Sequence, residues 1–146
     1  NKAQNCKRKK FKHAHIITTD VSAKALDTAI KIGYADQYLQ LNAQKQEDFL
    51  EAIENATSGK LCDVVINCVN VQDTEASSIL ASKKRGKVIL FSMATRFDKA
   101  ALATDATGKD VDILIGNGIA EMQAEEMLKL LKEDEKLRKY FENHNT

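Results

Sequence analysis

Residues 61–70 read LCDVVINCVN, and the apolar run within them, Val64–Val69, stops abruptly at Asn70. Three other runs end in the same way: His15–Thr19 before Asp20, Val88–Phe91 before Ser92, and Val111–Ile115 before Gly116 and Asn117. Strands of a parallel sheet that is covered on both faces form continuous apolar runs, and ligands bind at their carboxyl ends. The pattern therefore predicts a parallel sheet whose binding edge is marked by polar residues.

Helix signals lie between the predicted strands. Ser22 can cap a helix by accepting a backbone N–H, and Gly33 suits the left-handed position at its end. Asp73 predicts the start of a later helix, which we expect to end at Gly86. Strands that alternate with helices of 10–15 residues indicate βαβ units and hence a parallel sheet.

The fold class that follows is α/β, with a doubly wound, mostly parallel, Rossmann-like sheet. About five strands are visible where the usual dinucleotide-binding fold has six, and no glycine-rich phosphate loop precedes the first. We therefore expect one partial nucleotide-binding domain over residues 1–146 that lacks its first strand and glycine loop. Residues 1–13 are a polar, basic lead-in. Residues 121–146 are a helical segment, in which the acidic cluster 133–135 is either a break or an exposed face.

Composition narrows the classes of function. The 146 residues suffice for one core, and 43% apolar content is typical of a globular chain. A net charge of +1 gives no support for nucleic acid as a partner. No apolar stretch reaches the roughly 18–20 residues that span a bilayer, so no membrane is expected. Three cysteines without a disulfide spacing, and no signal-peptide pattern, favour a cytoplasmic location.

Asp20 is the first candidate ligand residue, with Val21 beside it. An acid at the end of an early strand can accept hydrogen bonds from both hydroxyls of an adenosine ribose, and it repels a 2′-phosphate. Asp20 therefore favours NAD as cofactor over NADP. Its alternative role is to cap the helix that follows, because aspartate is common at such positions.

The ends of the later strands supply the remaining candidates for cofactor binding. Small and polar groups there would let a cofactor approach the backbone, although each group could equally belong to an ordinary turn. These candidates are Cys68, Val69 and Asn70 after the central strand, Ser92, Met93 and Ala94 after the next, and Asn117 after the last. No catalytic residue can be assigned from the sequence.

No metal site is expected. Cys62 and Cys68 flank a strand at a spacing that zinc sites do not use, and His13 and His15 lack acidic or cysteine partners nearby. The sequence also contains no nucleophile elbow, Walker loop or convincing triad.

Three stretches of the sequence carry a resemblance to a known family: Ile32–Asp36 (IGYAD), Cys62–Val69 (CDVVINCV) and Arg85–Ile89 (RGKVI). They resemble a leucine-glycine-alanine-aspartate passage, the fourth strand and the fifth strand in the cofactor domain of medium-chain dehydrogenases/reductases. The resemblance implies a Rossmann-like domain that binds a nicotinamide cofactor.

Longer phrases carry a closer resemblance, among them Cys68–Val71 (CVNV), Phe91–Thr95 (FSMAT) and Ile115–Gly118 (IGNG). They resemble the family of L-erythro-3,5-diaminohexanoate dehydrogenases of bacterial lysine fermentation. This implies NAD-dependent oxidative deamination of a small-molecule substrate at its 3-amino group. It also implies that Asp20 holds the adenosine ribose, that residues 68–70 line the middle of the cofactor, and that residues 92–94 with Asn117 border the nicotinamide.

Other interpretations stay open at this point. One is a different dehydrogenase of the same superfamily, such as a quinone or enoyl reductase. A second is a non-catalytic regulatory domain that senses NAD. A third is the methyltransferase sheet, which normally ends in an antiparallel hairpin, whereas the sequence from Gly116 onward is helical in pattern.

The last predicted strand also suggests an assembly. Val111–Ile115 is apolar at what should be the edge of the sheet, and exposed flat edges tend to pair. We expect a homodimer joined through this strand about a twofold axis, as the superfamily resemblance also implies.

Overall fold

The computed structural model describes residues 13–116 and 121–144. Within those ranges the strands are β1 (Ile17–Asp20), β2 (Gln37–Gln40), β3 (Cys62–Asn67), β4 (Ser82–Leu90) and β5 (Asp112–Ile115). The helices are α1 (Ala23–Ile32), α2 (Gln46–Thr57), α3 (Glu75–Ala81), α4 (Phe97–Thr107), α5 (Gln123–Glu133) and α6 (Glu135–His144). None of these helices has the length and apolar character that a membrane crossing requires.

The described residues divide into two compact units. The first holds residues 13–40 and 121–144, and the second holds residues 41–116. Each has its own sheet, with the order β1–β2 in the first and β3–β4–β5 in the second. Every strand pair is parallel, which confirms the α/β class and the parallel arrangement predicted from the apolar runs. The strands pair as two sheets, where the sequence suggested one.

In the first unit, β1, α1 and β2 form one βαβ crossover. The Ser22 side chain accepts the N–H of Ala25 at 3.2 Å, and Gly33 ends the helix with a φ of 79°. Both predicted caps of α1 are therefore confirmed. Leu26 is the buried residue of the helix.

The acidic cluster in the C-terminal part is a break between two helices. Asp134 separates α5 from α6, and its Oδ1 accepts the N–H groups of Lys136 at 3.0 Å and Leu137 at 3.1 Å. The Tyr34 hydroxyl donates to its other carboxylate oxygen. Asp134 is buried, so this cluster is not simply an exposed acidic face.

The second unit has its core on one face of the three-stranded sheet. Ile79 of α3, Val88 and Leu90 of β4, and Ala100 of α4 are buried together. Each large apolar side chain buried in this way contributes about 1.5–3 kcal/mol relative to an exposed one. The segment 96–110 contains the helix α4, which Gly108 caps in the left-handed region.

Two predictions about α3 are wrong. Asp73 is not its N-cap: Thr74 holds that position, and Asp73 instead has a φ of 67° and pairs with Lys99. Gly86 does not end the helix either, because α3 stops at Ala81 and β4 begins at the next residue. An extra contact with β3 at the start of β4, which local periodicity does not encode, draws these residues into the sheet.

Candidate functional site

The carboxyl end of β1 carries the predicted ribose ligand. Asp20 is the last residue of β1, and its Oδ1 accepts the N–H of Ser22 at 2.8 Å. The next carbonyl, of Val21, accepts the side-chain N–H of Gln40 at 3.0 Å, while the Val21 side chain is exposed. Asp20 therefore orders the turn into α1 without being its N-cap. Its Oδ2 makes no hydrogen bond to a described residue.

The carboxyl end of β3 is organised by a buried amide. Asn67 donates from Nδ2 to the hydroxyls of Thr74 and Ser78, both at 2.9 Å, and its Oδ1 accepts the N–H of Val69 at 2.9 Å. These bonds fix the turn that follows the strand. The two predicted site residues in that turn, Cys68 and Val69, are exposed.

The carboxyl end of β4 lies beside that turn. The Ser92 hydroxyl is 3.5 Å from the Asn70 side-chain oxygen, and it accepts the N–H of Ala94 at 3.1 Å. Met93, which lies between Ser92 and Ala94 in the sequence, is 86% exposed. The structure thus brings Asn70, Ser92 and Ala94 together at one rim, as the sequence predicts for neighbouring parallel strands.

The end of β5 continues the same rim. The N–H of Gly116 donates to the carbonyl of Leu90 at 3.2 Å, which holds the exit of β5 against the end of β4. Asn117, the last predicted cofactor residue, lies outside the described residues. Asp20 and Val21 belong to the first unit, and the other described candidates belong to the second.

Ion pairs surround the segment that leads into α4. Arg96 binds Asp98 through two hydrogen bonds, of 3.1 and 2.7 Å. This pairing lowers the pKa of the Asp98 carboxyl and raises the pKa of the Arg96 guanidinium. Lys99 pairs with Asp73, as described above. Exposed pairs of this kind contribute little to stability, but they neutralise charge at the rim.

Sequence reasoning missed the residues that support the rim. Asn67 had a detectable signal, because it is the polar residue within the otherwise apolar run Val64–Val69. Thr74 and Ser78 had none, since hydroxyl side chains are ordinary near the start of a helix. Glu75 is 2% exposed, which its position in the first turn of α3 does not predict, because acids there are usually solvated.

These rims have the chemistry that a dinucleotide needs. Asp20 offers a carboxylate oxygen, and the rim of the second unit offers the exposed residues 68–70 and Met93 beside the polar side chains of Asn70 and Ser92. A ribose diol requires hydrogen-bond acceptors, and a pyrophosphate or carboxamide requires close approach to backbone groups. The residues present therefore fit parts of a nicotinamide dinucleotide.

Metal-ligating side chains do not gather in the described ranges: no three His, Cys, Asp or Glu residues there could hold a metal ion together. The two described cysteines differ in environment. Burial, with a smaller contribution from the charge of Asp63, raises the pKa of the Cys62 thiol, whereas Cys68 is exposed.

Comparison with known proteins identifies the family of this chain. The sequence model of the family described as "zinc-binding dehydrogenase" matches residues 6–133. The chain belongs to this family. Zinc-binding dehydrogenases are oxidoreductases by description, and the α/β fold with parallel sheets agrees with that assignment.

Two curated proteins with similar sequences carry the same name. The L-erythro-3,5-diaminohexanoate dehydrogenase of Acetoanaerobium sticklandii is 45% identical over 113 residues, which cover 77% of this chain and 33% of the relative. The enzyme of that name from Fusobacterium nucleatum is 44% identical over 112 residues, which cover 77% of this chain and 31% of the relative. The chain therefore spans about a third of the length of the curated relatives it matches.

Solved structures agree on the fold. The D-arabinose dehydrogenase of Sulfolobus solfataricus matches 90% of this chain and 39% of its own, with a TM-score of 0.64 and 21% identity. A mycobacterial protein solved in complex with NADPH matches 70% of this chain and 31% of its own, with a TM-score of 0.57 and 20% identity. At these identities the likeness establishes a shared Rossmann-like fold and nothing about substrate.

Proposed function

We propose that this chain is the cofactor-binding part of an NAD-dependent dehydrogenase that oxidatively deaminates L-erythro-3,5-diaminohexanoate. The observation that carries the proposal is the 45% identity to an enzyme of that name. Family membership supports a nicotinamide cofactor, and the free carboxylate oxygen of Asp20 supports NAD over NADP. The same proposal places the protein in lysine fermentation in the cytoplasm.

The proposed reaction balances as follows. The carbon that bears the 3-amino group loses a hydride and the amine loses a proton, which leaves an imine. Water hydrolyses the imine to 5-amino-3-oxohexanoate and ammonia. The nicotinamide ring supplies the hydride acceptor when it is bound. We assign no catalytic residue in the described part of the chain.

The residues of the two rims have separate tasks in this proposal. Asp20, with Val21 beside it, holds the adenosine ribose through Oδ2, the carboxylate oxygen that makes no hydrogen bond to a described residue. Cys68, Val69 and Asn70 line the middle of the cofactor. At the nicotinamide end the proposed border consists of Ser92, Met93, Ala94 and Asn117.

Titration of the chain with NADH and NADPH tests cofactor binding. We expect NADH to bind more tightly, because the Asp20 carboxylate would repel a 2′-phosphate. Asp20→Ala removes a charged hydrogen-bond acceptor and should weaken NADH binding by about tenfold or more. The difference between the dissociation constants for NADH and NADPH should become smaller. Isothermal titration calorimetry gives both dissociation constants.

Asp27→Ala is the matched control, because Asp27 is an exposed aspartate on α1. It should leave both constants unchanged. Equal NADH affinity of the Asp20→Ala variant and the parent would refute the ribose role of Asp20. A parent chain that binds neither dinucleotide would refute the cofactor proposal itself.

The substrate proposal needs an assay on the protein that carries this chain in its full length. Incubation with NAD and 3,5-diaminohexanoate should produce NADH and ammonia in equal amounts. If that substrate gives neither product while a quinone or an enoyl thioester is reduced, the protein belongs to another branch of the dehydrogenases.

A further inference from the structure

Glu75 is a buried acid for which the proposed function has no use so far. It is the first residue of α3 and is 2% exposed. Its Oε1 accepts the backbone N–H of Arg96 at 2.8 Å. Its Oε2 is buried and has no hydrogen-bond partner among the described residues.

Burial of a carboxylate with one oxygen unsatisfied is costly, because a charged group loses its hydration without full replacement. Buried charges are therefore poor stabilisers of a fold in general. A charged acceptor does form a stronger hydrogen bond to an N–H than a neutral one. Among the described residues, the N–H of Arg96 is the hydrogen-bond donor that offsets part of this cost at Glu75.

That N–H terminates the segment 91–96, which joins β4 to α4. At the start of the segment, the N–H of Phe91 donates to the carbonyl of Asn67 at 2.8 Å. At its end, the N–H of Arg96 is held by Glu75. Between these two anchors, the N–H groups of Ala94 and Thr95 bond only within the segment, to Ser92, among the contacts of the described residues.

The two anchors enclose Ser92, Met93 and Ala94, the residues that the proposed function assigns to the nicotinamide end. We infer that Glu75 is a positioning residue for cofactor binding: its carboxylate fixes the far end of the segment 91–96 and so sets where those three residues lie. This inference rests on the proposed function. It assigns Glu75 no contact with the cofactor.

Two measurements on the full 146-residue chain test the inference together. Amide hydrogen exchange reports whether the N–H of Arg96 is released, and titration with NADH reports the dissociation constant. Glu75→Ala should speed exchange at Arg96 by about tenfold or more, since it removes a hydrogen bond to a charged group. Exchange at Val88 and Leu90, in the core, should change far less, and NADH binding should weaken by about tenfold.

Two further variants sharpen the test. Glu75→Gln retains an oxygen that can accept the N–H of Arg96, so it should restore most of the exchange protection and most of the NADH affinity. If Glu75→Ala fails to fold, Glu75→Gln decides the question: the protection of the Arg96 N–H from exchange and the affinity for NADH should either both be kept or both be lost, and a change in one alone would refute the inference. Glu51→Ala, on the exposed side of α2, is the control and should change neither.

The outcomes separate this inference from the proposed function. If Arg96 is released while NADH binds as tightly as to the parent chain, the positioning role is wrong and the cofactor site stands. If Arg96 remains protected in Glu75→Ala, the anchor itself is wrong. A parent chain that does not bind NADH overturns the proposed function, and the positioning role with it.

Discussion

At the scale of single residues, the thiols of Cys62 and Cys68 have different surroundings. Cys62 is the first residue of β3 and Cys68 directly follows its last, yet burial raises the pKa of the Cys62 thiol while Cys68 is exposed. Thiolate is the reactive form of cysteine. The two cysteines should therefore behave differently towards the same reagent.

We expect iodoacetamide to modify Cys68 several-fold faster than Cys62 in the folded chain at mildly alkaline pH, with Cys6→Ser as the background. Mass spectrometry of the digested protein measures each rate. Bound NADH should slow the reaction at Cys68 alone, because Cys68 lies at the proposed cofactor rim. In guanidinium chloride the two rates should converge. Equal rates in the folded chain would contradict the burial of Cys62.

Asp63 gives a prediction about pH. The ion pair and hydrogen bond with Lys83 lower the pKa of the Asp63 carboxyl below its usual 3.8. A lowered folded-state pKa means that the pair stabilises the fold above pH 3.8, and that this contribution is lost as the pH falls through the folded value. Lys83→Met should return the carboxyl pKa towards 3.8 in an NMR titration. An unchanged pKa in that variant would show that Lys83 is not its cause.

At the scale of the elements, the start of β4 shows how a contact overrides a local signal. The sequence predicts that Gly86 ends a helix, but Gly86 lies inside β4. Its neighbour Arg85 has a φ of 62°. The register between β3 and β4 shifts at this point. A Cβ on Gly86 would lie 2.3 Å from the Ser82 hydroxyl and 3.1 Å from the carbonyl of Asp63. Glycine is needed here for close approach of backbone and side chain.

Gly86→Ala should therefore destabilise the chain by about 1–3 kcal/mol, the usual range for overpacking a filled site. The free energy of unfolding in urea measures the effect. Gly116→Ala is the matched control, because nothing lies within 4 Å of the Cβ it would add. Equal unfolding free energies for the two variants would show that the irregular start of β4 has room for a side chain.

At the scale of the whole molecule, the edge strand β5 bears on assembly. β5 is an edge strand of the three-stranded sheet, and its side chains Leu114 and Ile115 are 50% and 40% exposed. An exposed apolar edge invites pairing with another chain. We propose that two copies pair through β5 about a twofold axis, which removes both edges from solvent at once.

Light scattering after size exclusion should then give the mass of a dimer. Leu114→Lys should yield a monomer, since a charge on an edge strand opposes pairing. Leu102→Lys, on an exposed position of α4, should leave the dimer intact. A parent chain that is monomeric at high concentration would end this proposal.

The success of sequence reasoning depended on how local each feature is. The caps of α1 were predictable because both are local. The Ser22 side chain accepts an N–H three residues along the chain, and Gly33 is favoured by the left-handed backbone angle at its own position. Asp73 was mispredicted because its partner Lys99 lies 26 positions away. Of the candidate site, the polar strand ends were predictable, and Asn67 stands out as a polar residue in an apolar run. The partners of Asn67 and Glu75, which make them the organiser of the rim and an anchor, were not predictable.

The sequence by itself determined the α/β class, the parallel direction of the strands, and the polar residues that follow them. These features depend on runs and caps of a few residues, whose preferences are set by neighbouring backbone and side chains. Only the tertiary structure decided that the strands pair as two sheets, that Gly86 lies inside a strand, and that Glu75 is buried beneath Arg96. Such features depend on contacts between residues far apart in the chain, and hydrophobic periodicity contains no information about which distant partner a residue will meet.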